Sequence, residues 1–513
     1  MPFAFTSLPT EIILRIYNEI WVRKPIRSTV TLNDFEDIIH IEASNWKNGS
    51  YTGGAWPSAV WPYIRVVTVY DHEPKKMPRK LFDPADLRVT LPSLANVNHI
   101  RLEFIHDAPD LLSVSTLPFL FTMTALPHLE TLSLRQSRFD GPSLTRPIAQ
   151  MHHLTSLTLI SPLIMIQRLE LKQYNRFEEL KNVAEILQTV APVLTKLEIS
   201  GDLVDFQMFE STEWPNLSTF RLVDHVPYSF FRPITAVVAH MPMLQTLACD
   251  FKAEETPRTS FIFCPPDDHA HPPLSTSIPN LISLSLSNLQ PGDQSVQQLP
   301  SGLRVLRVVA LRDPHIHSIG NLKREPRYNY SALSDDDAYL WINAASKLPY
   351  LSRLTLHLKS VPSPELLWHI ARACPQLEFL ELEQASFEHN WNESPDSVLD
   401  LLLSPLASLS QLKELRMSVE LGPALVWIET ALERLPSRAF FFEPPLERLP
   451  SRAFKARVQT VSMLFAAKLQ NLEFLGFSAL NRERVTYGRD SIWYMLEIIR
   501  NEDGLSTRVI DPI

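Results

Sequence analysis

Pro127-His-Leu129-Glu-Thr-Leu132-Ser-Leu134 reads as a proline, an apolar anchor, two variable residues, an apolar, a variable and an apolar. Its end alternates, so Leu132 and Leu134 fall on one face of a short strand, with Thr131, Ser133 and Arg135 on the other. The phrase returns at Leu154-x-x-Leu157-x-Leu159, Leu281-x-x-Leu284-x-Leu286, Leu351-x-x-Leu354-x-Leu356 and Leu377-x-x-Leu380-x-Leu382. Weaker copies start at Ile64, Val97, Leu194, Leu217, Leu244, Leu303, Leu412 and Leu472. One short strand cannot bury an apolar face alone, but stacked copies shelter one another. The chain therefore reads as an α/β solenoid, which offers a long surface to a partner.

The anchors Leu129 and Leu154 are 25 residues apart, and Leu351 and Leu377 are 26 apart, inside the roughly 20–29-residue period of leucine-rich repeats. Longer spacings call for inserted helices or loops. Eight anchors follow a proline two residues upstream: Pro62, Pro127, Pro192, Pro215, Pro242, Pro279, Pro349 and Pro375. Proline ends a preceding helix and sets extended geometry before the strand ladder begins. Ser363-Pro364-Glu365 opens a helix with Leu366, Leu367, Ile370 and Ala373 on one stripe. Phe177, Leu180, Val183, Ile186, Leu187 and Val190 repeat at helical spacing, and Ser394-Pro395 opens another helix through Leu403. The expectation is parallel strands on a concave side and helices on a convex side. The asparagine that usually follows the strand phrase is mostly missing, so the repeats should be irregular.

Variable positions three, five and seven of each phrase should face away from the core. They include Arg101, Arg135, Lys196, Arg221, Arg307, Arg353 and Arg416, balanced by Glu103, Glu198, Asp250, Glu381, Glu383 and Glu414. Hydroxyls such as Thr131, Ser133, Thr158 and Ser285 fill much of the remainder. A balanced polar face suits recognition of a protein target. Phosphate tracking along a nucleic acid needs one sign in excess. Arg101, Arg135, Glu198, Arg221, Arg307, Arg353, Glu381 and Arg416 are the candidate target contacts.

Leu8-Pro9-Thr10-Glu11-Ile12-Ile13-Leu14-Arg15-Ile16-Tyr17-Asn18-Glu19-Ile20 predicts an amphipathic helix. In this register it resembles the first helix of an F-box, whose pattern begins Leu-Pro-x-Glu. Phe35 to Trp46 departs from the second half of that pattern. With the phrases behind it, the chain resembles the fungal F-box/leucine-rich-repeat family. The resemblance implies that Leu8, Pro9, Ile12, Ile16 and Ile20 bind the Skp-type adaptor of a cullin ubiquitin ligase. The arc would then hold an unknown protein target. Expected organisation is an F-box-like helical segment over 1–50, a leucine-rich-repeat solenoid over 58–480 and a C-terminal capping helix and tail over 481–513. Two insertions interrupt the solenoid, near 312–347 and 430–460. In the second, Leu-Glu-Arg-Leu-Pro-Ser-Arg-Ala-Phe occurs twice, at 432–440 and 446–454, and reads as a poorly packed tandem excursion. The capping helix would start at Asp490 and carry Ile492, Trp493, Leu496 and Ile499.

Composition narrows the alternatives. The 513 residues carry a net charge of −9, against a general nucleic-acid or anionic-membrane clamp. Three widely spaced cysteines imply no disulfide framework, and no apolar run reaches a membrane span. A cytoplasmic or nuclear location is expected. Cys264-Pro-Pro-Asp-Asp-His-Ala-His271 gathers metal-binding residue types, but one proline-broken cluster lacks the paired spacing of a zinc site. No phosphate loop, His-Glu-x-x-His or Gly-x-Ser-x-Gly motif occurs. No catalytic residue, metal or cofactor is expected.

Overall fold

A computed structural model of the chain describes residues 38–42, 65–71, 95–104, 126–135, 139, 151–161, 175–225, 227, 233–252, 263–266, 273–289, 292–311, 332–360, 362–384, 395–418, 452–478, 493–501 and 504–510. Its described strands form a single unclosed sheet of 16, stacked in chain order. They are β1 (Ile38–Glu42), β2 (Val66–Asp71), β3 (His99–Phe104), β4 (Thr131–Arg135), β5 (Ser156–Ile160), β6 (Lys196–Ser200), β7 (Thr219–Asp224) and β8 (Thr246–Phe251). There follow β9 (Ser283–Ser287), β10 (Val305–Val309), β11 (Arg353–Leu358), β12 (Phe379–Gln384), β13 (Glu414–Met417), β14 (Phe474–Ser478), β15 (Trp493–Asn501) and β16 (Gly504–Val509). Neighbours from β1 to β14 are parallel; β14–β15 and β15–β16 are antiparallel.

The repeated phrase explains this stacking through two backbone devices. At most anchors the N–H donates to the carbonyl three residues back, as in Leu129 to Leu126, Leu217 to Trp214, Leu281 to Ile278 and Leu377 to Cys374. Pro127, Pro215, Pro279 and Pro375 occupy the second position of those turns, where a fixed φ is favoured and no donor is needed. Proline therefore shapes the turn into each strand as well as ending what precedes it. Next, one carbonyl per repeat accepts two N–H groups from the following repeat. Glu130 and Thr131 share the Asn98 oxygen, Thr155 and Ser156 share that of Glu130, and the pattern continues to Glu473 and Phe474 on Lys413. The turn fixes where each strand starts, and the shared carbonyl fixes its register on the neighbour.

The anchors and inward strand residues form one continuous apolar cluster with the helices that connect them. Leu132, Leu157, Leu197, Leu284, Leu354, Leu380 and Leu475 are all buried in it. Helices α1 (Arg176–Val190), α2 (Phe206–Ser211), α3 (Ile234–Val238) and α4 (Leu274–Ser277) lie in the first part of the chain. Helices α5 (Asp335–Ala345), α6 (Pro364–Ala373), α7 (Pro395–Leu406) and α8 (Arg452–Lys468) follow. In α6 the Ser363 side chain accepts the Leu366 N–H at 3.2 Å, and Leu366, Leu367, Ile370 and Ala371 face the core. In α5 Ser334 and Asp337 form a reciprocal capping box. Helix α1 buries Val183, Ile186, Leu187 and Val190, whereas Phe177 at its first turn is exposed. Glu179 is fully buried there. It pairs with Arg176 at 3.1 Å and accepts the Phe139 N–H, while Asn182 donates to the Phe139 carbonyl.

Two expectations change. Strand β1 lies within the segment expected to be helical. Its Ile-Ile-His-Ile-Glu runs parallel to Val-Val-Thr-Val-Tyr of β2, so β-branched pairing extends the sheet to residue 38. The C-terminal capping helix is replaced by the β15–β16 hairpin. Trp493, Met495 and Glu497 take one face of β15 and Leu496 and Ile498 the other, a two-residue alternation that competes with the helical reading. Of the second copy of the duplicated nonapeptide only its last three residues fall within the described residues, where they open α8; Val458, Val461 and Phe465, beyond the copy, are buried. The first copy, residues 446–451 of the second, the segment 312–331 and residues 267–272 lie outside the described residues. The described part of the first insertion folds back: the Leu333 N–H donates to His357 O and the Lys359 N–H to Leu333 O.

Candidate functional site

Strand register places the outward residues in rows that run the length of the sheet. The central row passes through Thr68, Arg101, Ser133, Thr158, Glu198, Arg221, Ala248, Ser285, Arg307, Thr355, Glu381, Arg416, Gly476 and Met495. Six of the eight candidate target contacts stand in it. Arg135 and Arg353 lie on the same face, two residues to either side of the row. Leu8, Pro9, Ile12, Ile16 and Ile20 lie outside the described residues.

The structure links these charges in two groups. In the first, Arg135 and Arg221 grip the two oxygens of Glu198 at 2.6 and 2.9 Å. Arg221 then approaches Asp250 at 3.8 Å, and Arg307 approaches it at 4.0 Å from the far side. The Ser285 hydroxyl holds Asp250 at 2.5 Å. In the second group Arg416 bonds Glu414 at 2.6 Å and Glu381 at 3.3 Å. The Phe379 ring lies between Arg353 and Arg416, whose guanidinium carbons are 4.1 and 5.3 Å from its centroid. His357 contacts Glu383 at 3.1 Å through Nε2, with Nδ1 on the Ala310 amide.

Burial sets the behaviour of the acids. Desolvation raises the Glu381 carboxyl above its ordinary range, and this outweighs the opposing fields of His357, Arg416 and Arg307. Asp224, at the end of β7, is also pushed up by burial, but the Lys252 ammonium at 2.6 Å outweighs that and holds it below the ordinary value. Glu198 and Glu381 thus organise neighbouring arginines and leave few lone pairs for a partner. The arginines divide accordingly. Arg135, Arg221 and Arg416 are hydrogen-bonded to acids, whereas Arg307 and Arg353 hydrogen-bond to no described residue.

His357 and Phe379 were not among the expected contacts. They occupy phrase positions seven and three, and the same alternation rule applied to those positions points to them. The three cysteines are free and buried; burial raises Cys249 well above its ordinary range and Cys374 to about 11. Among the described residues, no cluster of three His, Cys, Asp or Glu side chains is arranged to hold a metal. No described helix is long and apolar enough to cross a membrane. No family model matches the chain, and no curated protein matches it.

Proposed function

We propose that the chain is the substrate-recognition subunit of an Skp–cullin–F-box ubiquitin ligase built on leucine-rich repeats. Leu8, Pro9, Ile12, Ile16 and Ile20 engage the adaptor, and the polar face of the sheet, concave in a repeat arc, holds a protein target. The observation that carries this reading is the Leu8–Ile20 register standing ahead of a long, mostly parallel sheet with a largely polar outward row. The subunit itself is non-catalytic. It raises the local concentration of target lysines near the ubiquitin-charged enzyme, which needs no reactive side chain in this chain. Co-precipitation of the full chain with an Skp-type adaptor tests the reading. Wild type should bind and Ile16→Asp should abolish binding; failure of wild type, or full retention by Ile16→Asp, removes the ligase role.

One observation favours a second reading, a binding scaffold with no ligase link. Strand β1 takes Ile38–Glu42, where an F-box would continue as helix, into the sheet. Under this reading, removal of residues 1–30, which spares β1, leaves target binding and target lifetime unchanged. Under the ligase reading, the same removal keeps target binding and lengthens target lifetime.

A further inference from the structure

The sheet ends in β16, and no described strand lies beyond it. The Ile510 N–H donates to Met495 O at 2.9 Å, and the β15 register sets Arg508 opposite Glu497, Ser506 opposite Ile499 and Gly504 opposite Asn501. In an antiparallel pair, hydrogen-bonded residues alternate with residues whose N–H and C=O point the other way. Gly504, Ser506, Arg508 and Ile510 therefore direct their backbone groups at β15, and Leu505, Thr507 and Val509 turn theirs outward. The side chains of these three share the apolar side of the hairpin, opposite Arg500, Ile498 and Leu496. Leu505 packs against the apolar cluster, whereas Val509 is 51% exposed.

This edge is fixed in place and left undefended. Arg500, in register with Leu505, donates to Ala466 O at 3.0 Å and to Leu469 O at 2.7 Å, which ties the hairpin to the C-terminal end of α8. Soluble proteins usually blunt a sheet edge with a proline, a lysine, a bulge or an inward charge. Gly504–Val509 has none of these. Its register on β15 runs without a bulge, and its one charged residue, Arg508, lies on the opposite side, where Nε bonds Glu497 at 2.8 Å.

The edge is also complementary to itself. Turned about a two-fold axis at Thr507, a second β16 sets Leu505 opposite Val509 of the other copy, and Val509 opposite its Leu505. All three outward residues then fall at hydrogen-bonded positions, where each pair exchanges both N–H···O bonds. On the apolar side the leucine–valine pairs cover Val509, and the two Thr507 side chains meet on the axis. On the other side Arg508 stands opposite Ser506, so no like charges face each other. A slip of one residue would set outward groups against inward ones and break the ladder.

We infer that the chain self-associates through this edge, two copies pairing β16 with β16 antiparallel about Thr507 and joining their sheets into one. The inference is independent of the ligase and scaffold readings, which concern other surfaces of the molecule.

Sedimentation velocity of the full chain, at concentrations up to about 100 μM, tests it. The 58.7 kDa chain should shift to twice that mass as concentration rises. Thr507→Pro removes an outward N–H on the axis and spares the pairing with β15, and Val509→Lys puts a charge opposite Leu505 of the other copy. Each should weaken self-association by about tenfold or more, while Arg372→Gln on α6 should leave it unchanged. Mild oxidation then reads the register. Thr507→Cys should give a covalent dimer, because facing Cα atoms at a hydrogen-bonded pair lie about 5.5 Å apart, within disulfide range, whereas Ser506→Cys should stay uncoupled. The native Cys249, Cys264 and Cys374 are buried and contribute little background. A wild type that stays monomeric over the whole range, whether its edge is bare or takes an extended peptide of another protein, overturns the inference. So does full dimerisation of Val509→Lys, or equal crosslinking of the two cysteine variants. Circular dichroism and melting curves check the fold of every variant. Val509 is already half exposed, so its replacement keeps the test sharp should Thr507→Pro melt lower.

Discussion

The parallel body of the sheet and its C-terminal end solve the same problem differently. From β3 to β14 each strand takes its register from a shared carbonyl, and at most anchors from a turn as well, so the outward row continues without a slip. At the end β15 and β16 turn back on β14, and the apolar cluster is completed by Leu496 and Ile498. The polar face changes there too. Gly476 occupies the central row, and a Cβ at that position would lie 2.7 Å from Met495 Sδ, so the glycine makes room for β15 side chains. The lesson is that the repeats propagate a surface, whereas the hairpin stops it. The terminating strands are antiparallel, and β16 is largely exposed.

The strongest way to break this comparison is to remove equivalent apolar groups from each region. Leu284→Ala, in the body, should lower unfolding free energy by about 2–5 kcal/mol in a denaturant titration. Ile498→Ala, at the end, should cost less, because a terminal pair can open locally without the body. Hydrogen exchange should accordingly release β15–β16 before β9, and simultaneous exchange would show the hairpin to be an integral part of one cooperative unit. A smaller effect is expected from the helical connections: Ser363→Ala removes a helix cap and should cost about 1 kcal/mol, read from the same titration.

A pH series separates the two buried acids. Glu381 has its carboxyl raised by burial, so its charged form destabilises the fold at neutral pH. That penalty is relieved as pH falls through the raised value toward 4.5. Glu381→Gln should therefore melt higher than wild type at pH 7, and the two should converge on acidification. Asp224 has the opposite sign. Burial raises its carboxyl, but Lys252 outweighs that, so its contribution persists at neutral pH and fades below 3.8. A Glu381→Gln protein less stable than wild type at neutral pH contradicts this balance. The smallest effect belongs to the hairpin surface: Arg508→Ala breaks an exposed pair with Glu497 and should shift stability by less than about 0.5 kcal/mol.

Much of this sheet was readable from the recurring leucines. The anchors, the inward pairs such as Leu354 and Leu356, and the cap at Ser363 stand where spacing put them. The ends were harder for physical reasons. Ile38-Ile-His-Ile-Glu stands ahead of the first recognised phrase, and Trp493-Tyr-Met-Leu-Glu-Ile-Ile carries apolar residues at both helical and strand spacing. Only the neighbouring strand decides between those two periods. On the polar face, sequence identified the residues but not their partners. Glu198 meets Arg135 63 residues away and Arg221 23 residues away, distances set by the stacking order of strands. Which arginines remain available follows from that order and from Phe379 beneath Arg353.

The longest connections, from Val309 to Arg353 and from Met417 to Phe474, leave the pairing of the strands they join unchanged. Text can accordingly be added to the gene between strands without shifting a single side chain from one face to the other. The tandem nonapeptide sits in one of these permissive intervals, so lineages could lengthen or trim such intervals while the outward row stays fixed.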